Sequence, residues 1–239
     1  MSARRHESDR RRSRPVQKRS KIKSMKRNKS AAFLAIFIII MLLLSGLWVI
    51  FSSLNSDDDG STIAEGNPIA VFDTTAGQFK VELYQDKLPN TCANFIKLVN
   101  DGFYDGMIFH RVKDNFMIQA GRYYPDGSQS QSPYGPIDLE VHPDVKHVDG
   151  AISMGQAPGD PNSATSEFFI CDGAQRGLDD DYLQENYGQR GYAAFGVTIE
   201  GLDVVKDIAS TSHDNSLEPQ PGGGKPLTDI VINSITIEE

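Results

Sequence analysis

Residues 31–51, from Ala31-Ala-Phe-Leu through Leu47-Trp-Val-Ile-Phe51, form a run of 21 with no charge and no proline. At a rise of about 1.5 Å per residue a helix of that length spans roughly 30 Å, the thickness of a bilayer's hydrocarbon core. Trp48 and Phe51 stand near its far end, where aromatic residues favour the interface. A cleaved signal peptide competes with this reading, but its apolar core is only about 7–15 residues long. No convincing small-x-small cleavage site follows the run, and no cysteine for lipid attachment lies nearby. The expectation is one uncleaved transmembrane helix over residues 31–51.

Charge divides the chain at the same place. Residues 1–30 hold 13 of the 24 Lys and Arg and 2 of the 32 Asp and Glu, a local charge of +11. The remainder has 11 basic and 30 acidic residues, or −19, so the total of −8 describes neither part. Thirteen cations could serve nucleic acid, but beside an apolar span they read as an orientation signal that also touches anionic lipid. The expected topology has a cytoplasmic basic tail at 1–30, a cell-membrane single pass, and an acidic body outside the cytoplasm. No nucleic-acid partner is expected. Ser52 to Gly66, with Asp57-Asp58-Asp59-Gly60 inside it, reads as a flexible linker over 52–66, which leaves 67–239 as one folded domain.

That domain is written mainly in short strands. Ile69–Thr74 and Gln78–Tyr84 flank Thr75-Ala76-Gly77 as a hairpin. Further strands are expected over Ile108–Val112, Phe116–Ala120, Ile137–Val141, Ala151–Met154, Ser166–Cys171, Tyr192–Ile199 and Asp229–Ile237. Leu88 to Gly102 carries helix signals, with Pro89 at the start, Gly102 at the stop, and Cys92, Phe95, Ile96 and Val99 in a buried stripe. Leu202 to Ser210 is a second short helix, while Arg122–Gly135 and the polar Asp179–Gly191 read as loops. Many strands, two helices and no βαβ alternation predict a mainly β fold, an antiparallel barrel or sandwich with helices plugging open ends. Cys92 and Cys171 lie in apolar text without a CxxC context and read as buried thiols.

Several chemistries find no support. A hydrolase nucleophile would sit on a turn such as G-x-S-x-G, and none occurs; Ser153 and Ser166 lie in strand text. Glu140, His142 and His147 lack the spacing of a metal site and read as surface residues. No glycine-rich phosphate loop precedes a helix, and Asp179-Asp-Asp181 reads as a solvated charge run. No metal or cofactor is expected.

What remains is Met107 to Gly121, where the cation Arg111 interrupts apolar strand text and is followed by Phe116, Met117 and Gln119. If both runs alternate faces, Phe109, Arg111, Met117 and Gln119 share one surface with Phe116 close by. A cation, an amide and large apolar groups on one face suit a site better than a core. An arginine that merely snorkels to solvent is the plainer reading.

Three passages taken together resolve the choice. They are Phe109-His-Arg-Val112 with Phe116-Met-Ile-Gln-Ala-Gly121, then Gly150-Ala-Ile-Ser-Met154 with Pro161-Asn-Ser-Ala-Thr-Ser-Glu-Phe-Phe-Ile170, then Tyr192-Ala-Ala-Phe-Gly196. They resemble the cyclophilin family of peptidyl-prolyl cis/trans isomerases, and the resemblance runs from about Ile69 to the C-terminus. It implies a closed eight-stranded antiparallel barrel capped by two α-helices, with a peptide groove on its outer face and proline-containing polypeptides as substrates. Arg111 would be the catalytic arginine. Phe116, Met117, Phe169 and Leu178 would hold the proline ring, Gln119 would hold the arginine and contact the peptide, and His110, Ala157 and Tyr192 would line the groove.

The chain also departs from the family's pattern. Glu167, in the groove, stands where Gln is usual and sets a negative charge near the arginine. Gly177 stands where many members carry a large aromatic residue that helps hold cyclosporin, which argues against binding of that drug. Ala120 replaces a common Gly, and Asp180 to Gly191 is longer than usual. A peptide-binding module without catalysis is the alternative these departures favour. An up-and-down barrel around a small apolar ligand fits the strand count but leaves the cation unexplained.

Overall fold

The computed structural model describes residues 66–217 and 222–238. The basic tail, the expected membrane helix at 31–51 and all but the last residue of the linker lie outside them. Among the described residues no helix is long and apolar enough to cross a membrane.

The domain opens with the expected hairpin. β1 (Ile69–Thr74) pairs antiparallel with β2 (Gly77–Leu83), and Phe72 faces Phe79 across them with ring centroids 4.5 Å apart. Thr74 closes the turn, its hydroxyl donating to Gly77 O at 2.6 Å and accepting from Ala76 N at 3.1 Å. The helix α1 (Pro89–Asn100) follows, then β3 (Arg111–Lys113), β4 (Met117–Ala120), β5 (Ala151–Met154) and β6 (Phe168–Cys171). After these come α2 (Asp180–Tyr187), β7 (Ala194–Glu200), α3 (Leu202–Ala209), a minor hairpin of β8 (His213–Asp214) and β9 (Lys225–Pro226), and β10 (Ile232–Glu238).

Eight strands form one sheet in the order β10-β1-β2-β7-β5-β6-β4-β3. The sheet curls into a half-barrel and does not close into the barrel expected. The reason lies in Ile108 to His110, which read as strand but donate in turn to three separated partners: Tyr123 O, Ile230 O and Gln119 O. Only an isolated bridge between Ile108 and Val231 links this stretch to the β10 side. Its backbone N–H groups are satisfied, but with no continuous ladder.

One aromatic-rich core fills the curl. Phe95 of α1 packs at 5.3 to 6.2 Å centroid distance from Phe72, Tyr104, Phe168 and Phe195. α1 packs against β10, whereas α3 meets β2, β3 and β4. The predicted α1 stripe is found, with Cys92, Phe95 and Val99 buried beside Leu98, although Ile96 is only partly buried. Both cysteines are free and buried, and desolvation pushes each thiol up to about 12.

Leu88, the residue before α1, has no side-chain cap to offer. Glu140, distant in sequence, supplies one. Its carboxylate accepts from Thr91 N and Oγ1 at 2.6 and 2.7 Å and from Asn90 N and Nδ2 at 3.2 and 2.6 Å. Backbone donors at a helix start need such partners, and the dipole favours an anion there. Partial burial opposes the charge on Glu140, but the bonds from Thr91 and Asn90 outweigh it and hold the carboxyl below its ordinary value. A depressed carboxylate contributes stability above its unfolded pKa and loses it as pH falls through the folded one. Glu140→Gln should therefore cost about 1 kcal/mol near neutrality. Urea melts should show that gap closing as the pH drops through the carboxylate range.

Candidate active site

The register of four strands builds the site. Val112 of β3, Ile118 of β4, Ile170 of β6 and Ile152 of β5 stand opposite one another in a row buried in the core. The neighbouring row is Arg111, Gln119, Phe169 and Ser153. Alternation sends it to the other face of the sheet, because successive side chains in a strand point oppositely. One sequence pattern thus packs the core with isoleucines and sets a cation, an amide and an aromatic ring side by side outside it.

That outer face carries its own small apolar cluster: Met117, Ala151, Phe169 and Cys171 buried, with Phe116, Leu178 and Tyr192 packed on them. The cluster floors a groove of about 690 Å³. Of the residues expected at the site, Arg111, Phe116, Met117, Gln119, Ala157, Glu167, Phe169, Leu178 and Tyr192 all line this groove. His110 does not. Its side chain is fully buried, its ring 4.9 Å from the Tyr123 ring and its Nε2 3.9 Å from Glu167 Oε2. Burial, with Arg122 and Arg111 nearby, pushes its imidazole down to about 3, so it is neutral. Phe109, expected on the same surface as Arg111, is likewise buried in the main core.

Arg111 is held from two sides. It donates to Gln119 Oε1 at 3.2 Å and to Gly222 O at 3.0 Å, and its guanidinium carbon lies 5.9 Å from the centre of the Phe116 ring. The backbone comes this close because of Gly223, whose φ of +117° and whose absent Cβ, which would lie 2.5 Å from Val112 O, admit no larger residue. On the opposite flank Gly121, at φ +97°, lies where a Cβ would strike Ser166 O at 2.4 Å.

Glu167 acts on the arginine's partner. Its Oε2 accepts from Gln119 Nε2 at 2.9 Å, and its Oε1 accepts from Arg122 Nη1 at 3.2 Å. A carboxylate only accepts, so it draws the NH₂ end of Gln119 toward itself and turns the amide oxygen to Arg111. Arg122 was not anticipated at the site, since it stands beyond the last strand residue in text that reads as a loop; it lines the groove with Gln129 to Ser132.

A second unanticipated group lies beneath the floor. His147 Nδ1 is 2.8 Å from Asp179 Oδ1, and Nε2 is 3.1 Å from Ser153 Oγ. The order of atoms matches a Ser-His-Asp hydrolase, but Ser153 is 0% and His147 3% exposed. Phe169 covers them, stacked on the imidazole at 5.9 Å and 10°. A nucleophile sealed from substrate cannot attack it, so the three residues support the groove floor. Burial lowers the His147 pKa, and the bond to Asp179 only partly restores it. Among the described residues no cluster of three or more His, Cys, Asp or Glu is placed to hold a metal ion.

The groove thus offers a fixed cation beside an apolar pocket. The sequence model described as "Cyclophilin type peptidyl-prolyl cis-trans isomerase/CLD" matches residues 69–237. "Peptidyl-prolyl cis-trans isomerase B" of Escherichia coli (strain K12) is 33% identical over 174 residues, covering 72% of this chain and all of that protein. "Peptidyl-prolyl cis-trans isomerase CYP18-2" of Arabidopsis thaliana is 34% identical over 157 residues, 65% of this chain and 89% of its own. The crystal structure of a Cryptosporidium parvum cyclophilin type peptidyl-prolyl cis-trans isomerase, determined in the presence of the dipeptide ala-pro, matches with a TM-score of 0.59 and 30% identity. It covers 72% of this chain and 99% of that one. The chain belongs to the cyclophilin family and is a peptidyl-prolyl cis-trans isomerase.

Proposed function

We infer that the enzyme isomerises X-Pro bonds by stabilising the twisted amide with Arg111, without covalent chemistry. Rotation about a peptide bond faces roughly 18–20 kcal/mol because the C–N bond has double-bond character. In the twisted state the prolyl nitrogen regains its lone pair and becomes an acceptor. A donor aimed at that atom stabilises the twisted state more than either planar one. The observation that carries this reading is the partly buried Arg111 guanidinium, held by Gln119 and Gly222 above an apolar floor of Phe116, Met117 and Phe169. The floor holds the proline ring, and Leu178, Ala157 and Tyr192 bound the peptide. Cis-to-trans relaxation of a short X-Pro peptide with the full-length chain tests this, and a folded protein that gives no acceleration would leave a peptide-binding module instead.

The substrates proposed are exported or surface polypeptides. Residues 31–51 would anchor the chain in the cell membrane by a single pass, with the +11 tail of residues 1–30 inside and the isomerase domain outside. Protease added to intact cells should then digest the acidic domain and spare the tail. In a cell without an outer membrane, a protected domain would overturn the topology. We also propose weak cyclosporin binding, because Gly177 leaves the lip beside Leu178 without a side chain, and a Cβ built there meets nothing within 4 Å.

A further inference from the structure

Residues 179–191 were expected to be a loop, and they fold instead around α2 (Asp180–Tyr187), a helix with no buried residue. A helix that buries nothing gains little from the core, so its position is set elsewhere. Tyr192 N donates to Leu178 O at 3.2 Å and closes the neck of the excursion. Asp180 Oδ1 accepts from Arg190 Nε and Gly191 N, both at 2.8 Å, while Asp181 pairs with Lys146 at 2.9 Å. Asp179 turns inward to His147, its Oδ1 accepting from the backbone N at 2.8 Å. These bonds stand the helix beside the segment Val141 to Lys146 and leave a depression of about 240 Å³ between them.

Val141, Pro143, Val145 and Ala194 give that depression an apolar wall opposite Gln184 of the helix, Tyr192 forms one side, and the charged Lys146 and Asp181 also line it. Tyr192 also lines the groove that holds Arg111, so a single side chain separates the two spaces. A pocket for a whole small molecule holds about 300 Å³ or more, whereas this one suits a side chain or two. Val141 is 41% exposed and supplies apolar surface that the isolated domain leaves in water.

We propose that the depression is a second subsite of the enzyme, which takes an apolar side chain of the polypeptide substrate a few residues from the proline. The occupant is the same chain that fills the groove, because the two spaces meet at Tyr192 and an extended polypeptide advances only about 3.3 Å per residue. The inference rests on the reading of the Arg111 groove as the proline site. The subsite selects unfolded segments with a spaced apolar residue over isolated X-Pro turns.

The test uses the full-length enzyme and peptides with one X-Pro bond in an alanine and serine background. A single leucine is moved from one to five residues away on either side. Leucine at one offset should lower KM about fivefold through partial burial, with kcat unchanged, as expected for binding shared by ground and transition states. Val141→Glu, which charges the wall, and Gln184→Trp, which fills the space, should each abolish that gain while the background peptide keeps its wild-type kcat/KM. No gain at any offset, or a gain that survives both variants, would overturn the subsite. Failure to accelerate even the background peptide would instead overturn the isomerase reading on which it rests.

Discussion

Arg111→Ala should slow cis-to-trans relaxation of a short X-Pro peptide by about a hundred- to a thousandfold, the range found when one preorganised donor to a developing charge is removed. The loss should fall on kcat and leave KM nearly untouched, because the planar ground state offers the guanidinium no nitrogen lone pair. Arg111→Lys should recover only part of the rate. An ammonium keeps the charge but lacks the planar fork that lets one side chain serve Gln119, Gly222 and a substrate atom together. Exchange spectroscopy on a peptide with resolved cis and trans signals would measure both variants, with circular dichroism to check the fold. Wild-type rates in Arg111→Ala would place the chemistry on another group.

The largest expected loss of stability comes from the other face of the same sheet. Phe95 is fully buried on α1 and meets four aromatic rings belonging to β1, β6, β7 and the segment after the helix. Phe95→Ala should cost about 3–5 kcal/mol, the lost transfer energy plus the cavity that rigid neighbours cannot fill. For a domain of this size that lowers the Tm by roughly 10 °C or more. Phe116→Ala makes the contrast, since Phe116 is only half-buried on the groove floor. It should lower peptide affinity while leaving the Tm close to wild type. A calorimetric scan of the two variants would separate core from site, and equal losses would show the outer cluster to be structural.

How far the sequence alone foretells these features depends on what each residue touches. β1, β2 and α1 were legible because their apolar positions follow a single period against a single core. Arg111, Gln119 and Phe169 were legible as a group through the spacing of their motifs, and the strand register explains why that spacing matters. His110 was carried to the groove by the resemblance, but its fully buried side chain does not line it. Helix α2 was missed because it has no apolar stripe. Its signals are end effects, Asp180 and Asp181 in the first turn and Gly188 in the left-handed conformation at the close. The Glu140 cap and the Asp179–His147 pair join residues far apart in sequence through side-chain atoms, and no local pattern records them. The half-barrel rather than a barrel turns on where three backbone amides point, which side-chain text does not encode.

The sheet order has a consequence for how such a chain is made. Among the described residues β1 is the first strand and β10 the last, yet they lie side by side, Ala70 opposite Ile237 and Phe72 opposite Ile235. β10 is also the strand against which α1 packs. While a ribosome is still supplying residues 232–238, β1 therefore has an unsatisfied edge and α1 an uncovered side, whatever else has been assembled. Contacts so distant in sequence must also overcome the entropy of closing a long loop before they return any energy. The domain thus cannot complete its fold before residues 232–238 have been made, and until then it is itself an incompletely folded polypeptide carrying X-Pro bonds.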